Sequence, residues 1–223
     1  MSARDEIFAS IRRSLNVGAV DDPRRAAVAQ RLAAPPIGIV PRRGHGDAAE
    51  RLATFRAEAE RVQATVAEVA VAAEVPAEIA RFLRENNLPA TLRFGDDPRL
   101  AALPWAETTL EISRGPSEGD DLNAVAAAFA GVAETGTLAL VSGADNPTTL
   151  NFLPDNHFVV LFADDLVADV ESVFARLREK YGPGALPRTV NFITGPSRSA
   201  DIEQTLLLGA HGPRRLHVVV VSE

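Results

Sequence analysis

A chain of 223 residues, 46% hydrophobic and 24% charged, can bury one full core with an appendage, and no apolar run in it approaches the roughly 20 residues that a membrane helix needs. Its 23 basic and 30 acidic side chains leave a net charge of −7, which together with an aromatic content of 5% argues against counterion-release binding to nucleic acid and against a base-stacking platform. The absence of cysteine excludes disulfides, a thiolate nucleophile and thiolate ligation of zinc or an iron–sulfur cluster by this chain, so any redox cluster belongs to a partner protein. Acids at Asp5 and Glu6, with no apolar stretch ahead of a cleavage site, predict a cytoplasmic protein.

Ser2-Ala3-Arg4-Asp5 has the pattern of a capping box, and Ile7, Phe8, Ile11 and Leu15 then share one helical face, predicting a short amphipathic helix that ends at Asn16 to Gly18. Residues 19–46 carry Asp21-Asp22-Pro23, Pro35-Pro36, Pro41 and Gly44-His45-Gly46, a density of breakers that predicts a linker. The chain thus divides into an N-terminal helix with its arm, 1–46, and a body, 47–223. From Asp47 to Ala73 the residues Leu52, Phe55, Ala59, Val62, Val66, Val69 and Ala73 step by three and four, the spacing of one long helix. Its seam would lie on the chain's own sheet, the reading favoured because paired flanking charges are not clear, or meet a second copy in a homo-oligomer.

Pro76 opens a further helix through Ile79, Phe82 and Leu83 to Asn86-Asn87. Short runs rich in β-formers follow at Ala90 to Phe94, Thr108 to Ile112, Thr137 to Val141, Phe158 to Phe162, Val190 to Thr194 and Leu216 to Val221, with helical patterns at Leu122 to Ala130, Leu166 to Arg178 and Asp201 to Leu208. Nearly all-apolar strands interleaved with helices predict an α/β fold, an open and mainly parallel sheet with helices on both faces.

Three segments could carry chemistry. The first is Glu134-Thr135-Gly136-Thr137, read as a tight link from a helix into a strand, in which Gly136 permits positive φ and Glu134 sets a carboxylate beside two hydroxyls; the same residues would equally satisfy backbone groups in a turn. The second, Ser142 to His157, is a polar link too long to be a plain connection, and Phe152 and Leu153 suggest that it folds back on the protein. In it Asp155 and His157 would form an acid/base pair, against the favoured reading of His157 as a hydrogen-bonded structural histidine; no metal-ligand set is present. His217, inside the last strand, reads as core or cross-strand packing.

The third runs from Val190 through Gly195, Ser197, Arg198 and Ser199 into a helix expected from Asp201. Free N–H groups, the helix dipole and the Arg198 guanidinium would hold a carboxylate or phosphate there, unless Ser199 serves only as a cap. Neither a phosphate loop, a dinucleotide fingerprint nor a nucleophile elbow occurs.

Glu134 to Thr137, Leu150-Asn151-Phe152-Leu153-Pro154-Asp155-Asn156-His157, Gly195 to Glu203 and Leu208-Gly209-Ala210-His211-Gly212-Pro213, together with the opening helix, resemble the LUD-domain family of lactate-utilization proteins. The resemblance implies a LUD domain over 47–223 with the open α/β fold of sugar-phosphate isomerases, CoA transferases and 5-formyltetrahydrofolate cyclo-ligase. It also implies a three-protein system for oxidation of L-lactate to pyruvate, whose other two members are iron–sulfur proteins. Two functions follow as expectations. In one, the chain is a non-redox component that needs no cofactor of its own and binds a small anion through Thr135, Gly136, Thr137, Gly195, Ser197, Arg198 and Ser199. In the other, it is an autonomous CoA-transferase-like or cyclo-ligase-like enzyme that uses Glu134.

Overall fold

The computed structural model describes residues 2–18, 21–36, 38–199 and 207–223. The chain forms two units, Met1–Gly38 and Ile39–Glu223. The first contains α1 (Ala3–Ser14), closed by the expected reciprocal cap between Ser2 and Asp5, and α2 (Asp22–Ala33). The second helix lies where the breakers predicted only linker. Asp21 accepts a hydrogen bond from the Arg24 N–H at 3.1 Å, and Pro23 sits in the first turn, where a missing N–H costs nothing. Asp-Asp-Pro is here a helix start.

In the second unit, α3 (Ala48–Arg61) begins at a capping box of Asp47 and Glu50. It does not run on to Ala73 as the apolar spacing predicted. Gln63 takes a left-handed φ of 72°, the chain turns, and Thr65–Val69 form β1, paired parallel to the C-terminal strand. The β-branched Thr65, Val66 and Val69 fit a pleated edge better than a helix.

The remaining elements are α4 (Val75–Glu85), β2 (Thr91–Phe94), the single turn α5 (Pro98–Ala101), β3 (Glu111–Arg114), β4 (Asn123–Ala127), β5 (Ala130–Val132), β6 (Thr137–Val141), β7 (Asn156–Phe162), β8 (Leu166–Val167), α6 (Val170–Tyr181), β9 (Val190–Ile193), β10 (Arg198–Ser199), β11 (Leu207–Leu208) and β12 (Arg215–Val221). Six strands make an all-parallel sheet in the order β1-β12-β7-β4-β2-β3. A second sheet, β8-β5-β6-β9, is mainly antiparallel, and β10 pairs with β11.

Alternate residues of the parallel strands serve the two faces. Val125, Phe158, Val160 and Val219 pack with Ile79, Phe82 and Leu83 of α4, while Ala126, Val159, Leu161, Val218 and Val220 pack with Phe55 and Ala59 of α3 and with Leu138 and Leu140 of the second sheet. The predicted open, parallel α/β sheet is therefore present, with one face covered partly by strands. Leu122 to Ala130, expected as a helix, is instead β4 and the start of β5. A central strand buried on both faces shows no polar alternation, and alanines there let the layers approach closely, so helix propensity yields to tertiary packing. The expected helix from Asp201 lies largely outside the described residues, and its last two positions, Leu207–Leu208, are strand. No described helix is long and apolar enough to cross a membrane.

A candidate ligand cavity at the start of β7

A cavity of about 240 Å³ opens where β7 and β12 begin, lined by Asn151, Phe152, His157, Thr194, Gly195, Pro196, Ser197, His211, Gly212 and Pro213 among others. It joins two of the three segments singled out in the sequence and adds the turn around His211. Leu150 and Asn151 end a single 3-10 turn and are buried, which anchors the long link; Phe152 and Leu153, expected to do so, are exposed at 41% and 47%.

The wall opposite is set by backbone geometry. Beyond β9 the chain turns at Gly195, whose φ is +78°, and a Cβ there would meet the Val62 carbonyl oxygen at 2.6 Å, so only glycine fits. Ser197 follows, fixed three ways. Its N–H donates to the Pro213 carbonyl at 2.8 Å, its carbonyl accepts from the Gly209 N–H at 2.9 Å, and its Oγ accepts from the His211 N–H at 3.3 Å.

His157 and Asn151 give the cavity its chemistry. Both are about 1% exposed, and neither ring nitrogen of His157 nor either amide atom of Asn151 has a hydrogen-bond partner among the described residues. Buried polar groups are rarely left so, because each unmet group costs about 1–3 kcal/mol. Burial lowers the His157 pKa to about 4, so at neutral pH its ring offers one N–H and one bare nitrogen. Among the described residues the histidine has neither the hydrogen bond of a structural residue nor Asp155 as a partner. The Asp155 carboxylate lies 3.6 Å from Arg214, and its carbonyl accepts from the N–H groups of Arg214 and Arg215.

Glu134 stands elsewhere. Residues Ala133 to Gly136 form the turn of the β5–β6 hairpin, not a link from helix to strand, because the preceding run is β5. The Glu134 carboxylate accepts from the Val170 N–H at 3.3 Å, at the start of α6, and its own N–H donates to the Ala168 carbonyl at 3.1 Å. It is 8% exposed and does not line the cavity. Gly136 does adopt the expected positive φ, at +62°, and its missing Cβ leaves space for the α3 backbone at Ala59.

Thr135 and Thr137 connect to the cavity indirectly. Their hydroxyls are 2.7 Å apart, and the Thr137 hydroxyl is 2.7 Å from that of Thr194 in the cavity wall. Sequence reading passed over Asn151 and Thr194 as individual residues; what could have flagged Asn151 is a polar side chain directly after the buried Leu150. Arg198 and Ser199 form the ladder with Leu208 and Leu207, and neither lines the cavity; the helix that Ser199 was expected to cap begins outside the described residues. Among the described residues no group of three or more His, Cys, Asp or Glu side chains is arranged to hold a metal.

Residues 124–221 match the family described as the LUD domain. The protein named Lactate utilization protein C of Geobacillus sp. (strain WCH70) is 39% identical over 93 residues, 41% of this chain and 39% of that protein. Its namesake from Geobacillus thermodenitrificans (strain NG80-2) is 32% identical over 146 residues, 57% of this chain and 61% of that protein. The matches thus span about two to three fifths of the length of these relatives. The crystal structure of a DUF162 family protein from Deinococcus radiodurans superposes with a TM-score of 0.58 at 26% identity, covering 80% of this chain and 100% of that one. Asn151, His157, Ser197 and His211 all fall within residues 124–221, the stretch of this chain that is similar to the LUD domain.

Proposed function

We propose that this chain serves L-lactate utilization as a non-redox component that holds lactate or pyruvate in the His157 cavity, in the cytoplasm, while iron–sulfur partner proteins carry the electrons. The observation that carries the reading is the pair of buried side chains with no partner among the described residues. A neutral imidazole and a carboxamide supply both donors and acceptors, which a 2-hydroxy or 2-oxo acid can meet with its carboxylate and its neighbouring oxygen. The pinned Ser197 hydroxyl and the Thr194 hydroxyl add uncharged polar contacts on the facing wall. The relatives' names support the pathway, and the lack of cysteine supports placing the clusters on partners.

Calorimetric titration with L-lactate, pyruvate and propionate tests the reading. Lactate and pyruvate are expected to bind at least about tenfold more tightly than propionate, which lacks the second oxygen and would leave a buried group unmet. Equal binding of all three would sink the assignment. Affinity capture from lactate-grown cells tests the partners: recovery of no iron–sulfur protein would remove that half of the reading.

A further inference from the structure

Two of the cavity's residues, Pro196 and Leu216, also form the wall of a second depression of about 600 Å³. This one is of ordinary small-molecule size and has a different character. Its lining includes Gln63, Thr65, Arg81, Arg214, Arg215 and His217.

The three guanidinium groups are not equivalent. Arg81 is held by the carboxylates of both Glu78 and Glu85 and has little charge left to offer. Arg215 donates to the neutral Asn156 amide oxygen at 3.1 Å and has no carboxylate partner among the described residues. Among the described residues Arg214 reaches only the half-exposed Asp155 carboxylate, at 3.6 Å. Two consecutive arginines with unspent donors thus face one concave surface, and Asp155 fixes their backbone by accepting from both N–H groups, at 2.7 and 3.1 Å.

A neutral donor lies beside them. Gln63 follows α3 with a φ of 72°, where glycine or asparagine is usual, and lines the depression. The Thr65 hydroxyl lies 2.7 Å from His217 Nδ1 and, with Nε2 turned to the Glu78 carboxylate, donates its proton to that nitrogen, so it offers the depression no donor. Planar guanidiniums with a flanking amide donor are the chemistry that recognises phosphate oxygens.

We infer that this depression is a subsite for a diphosphate-bearing small molecule, with Arg214 and Arg215 as its principal contacts. Because it shares a wall with the His157 cavity, one ligand can place a small polar head in the cavity and its phosphates on the arginines. The phosphate assignment does not depend on which acid, if any, the cavity holds.

Titrating the intact chain with inorganic pyrophosphate and with ADP tests it. Both are expected to bind, the double variant Arg214→Ala/Arg215→Ala to weaken binding at least about tenfold, and Arg214→Lys/Arg215→Lys to fall between, since charge remains but the planar fork is lost. His157→Phe is expected to leave pyrophosphate binding unchanged even though it removes the imidazole from the cavity. Melting curves establish that each variant is folded. The inference is overturned if neither diphosphate binds, if the alanine pair binds them as well as the parent chain, or if a glutamate-rich peptide binds the arginines more tightly than either diphosphate.

Discussion

His157 and His217 stand on adjacent parallel strands, one register step apart, and face opposite sides of the sheet: His157 is paired with Leu216, and His217 with Phe158. Both are buried, at 1% and 3% exposure. Yet His217 Nδ1 lies 2.7 Å from the Thr65 hydroxyl and its Nε2 lies 3.3 Å from Glu78, with Phe82 and Phe158 around the ring, as expected of core packing. His157 has neither nitrogen met among the described residues. The same residue type, in nearly the same place, is structural in one case and available in the other.

Opposite responses to leucine follow. His157→Leu removes two unmet polar atoms and is expected to raise stability by about 1–3 kcal/mol, whereas His217→Leu strands Glu78 and Thr65 and is expected to lower it by a similar amount. Urea denaturation of the two variants measures this, and a loss in His157→Leu as large as that in His217→Leu would mean that His157 is held by groups that also need it.

Acid sensitivity should be shared by both histidines. Burial lowers each pKa to about 4, the effect at His217 being partly offset by Glu78, so between the ordinary value of 6.5 and 4 the unfolded chain binds more protons than the folded one. Their stabilising contribution is therefore complete above pH 6.5, declines as the pH falls and is gone below about 4, at on the order of 3 kcal/mol for each histidine. Stability measured against pH should fall less steeply in His157→Leu than in the parent; identical slopes would contradict the buried, neutral ring.

Glu134→Gln is expected to leave ligand affinity unchanged and to cost about 1 kcal/mol of stability, because the carboxylate accepts from the Val170 N–H at the start of α6 instead of lining the cavity. Binding and denaturation measured on one preparation separate the two effects. Loss of lactate binding with stability intact would return Glu134 to the site.

Gly136→Ala is expected to be severely destabilising, by several kcal/mol, since φ is +62° and the added Cβ would lie 2.3 Å from the Ala59 nitrogen. The melting temperature of this variant against that of Thr137→Val tells a hairpin pressed onto α3 from one that merely carries hydroxyls: the valine variant should lose only about 1 kcal/mol, from the broken link between Thr135 and Thr194.

Much of this architecture was legible in the chain. The strand patterns ending at Phe94, Val141, Phe162 and Val221 are strands, because β-branched runs flanked by turn residues have few other uses. What escaped was decided by tertiary packing. Alanine-rich β4 carries a helical composition but sits at the sheet centre, and α3 stops at Arg61 although the apolar spacing continues, because Val66 and Val69 reach the same core from a strand. In the site, Gly195 and Ser197 line the cavity, whereas Arg198, Ser199 and Glu134 lie outside it. Sequence shows that His157 is polar within an apolar strand; only the fold shows that no described residue answers it.

The central claim is that the His157 ring meets a 2-hydroxy or 2-oxo acid. Imidazole ¹⁵N chemical shifts of His157, followed by NMR as L-lactate is added, test it most directly. The account predicts a saturable shift at both ring nitrogens, little change at His217, and no detectable lactate binding by His157→Phe. Unmoved His157 resonances at a lactate concentration that saturates binding, or undiminished binding by His157→Phe, would contradict it.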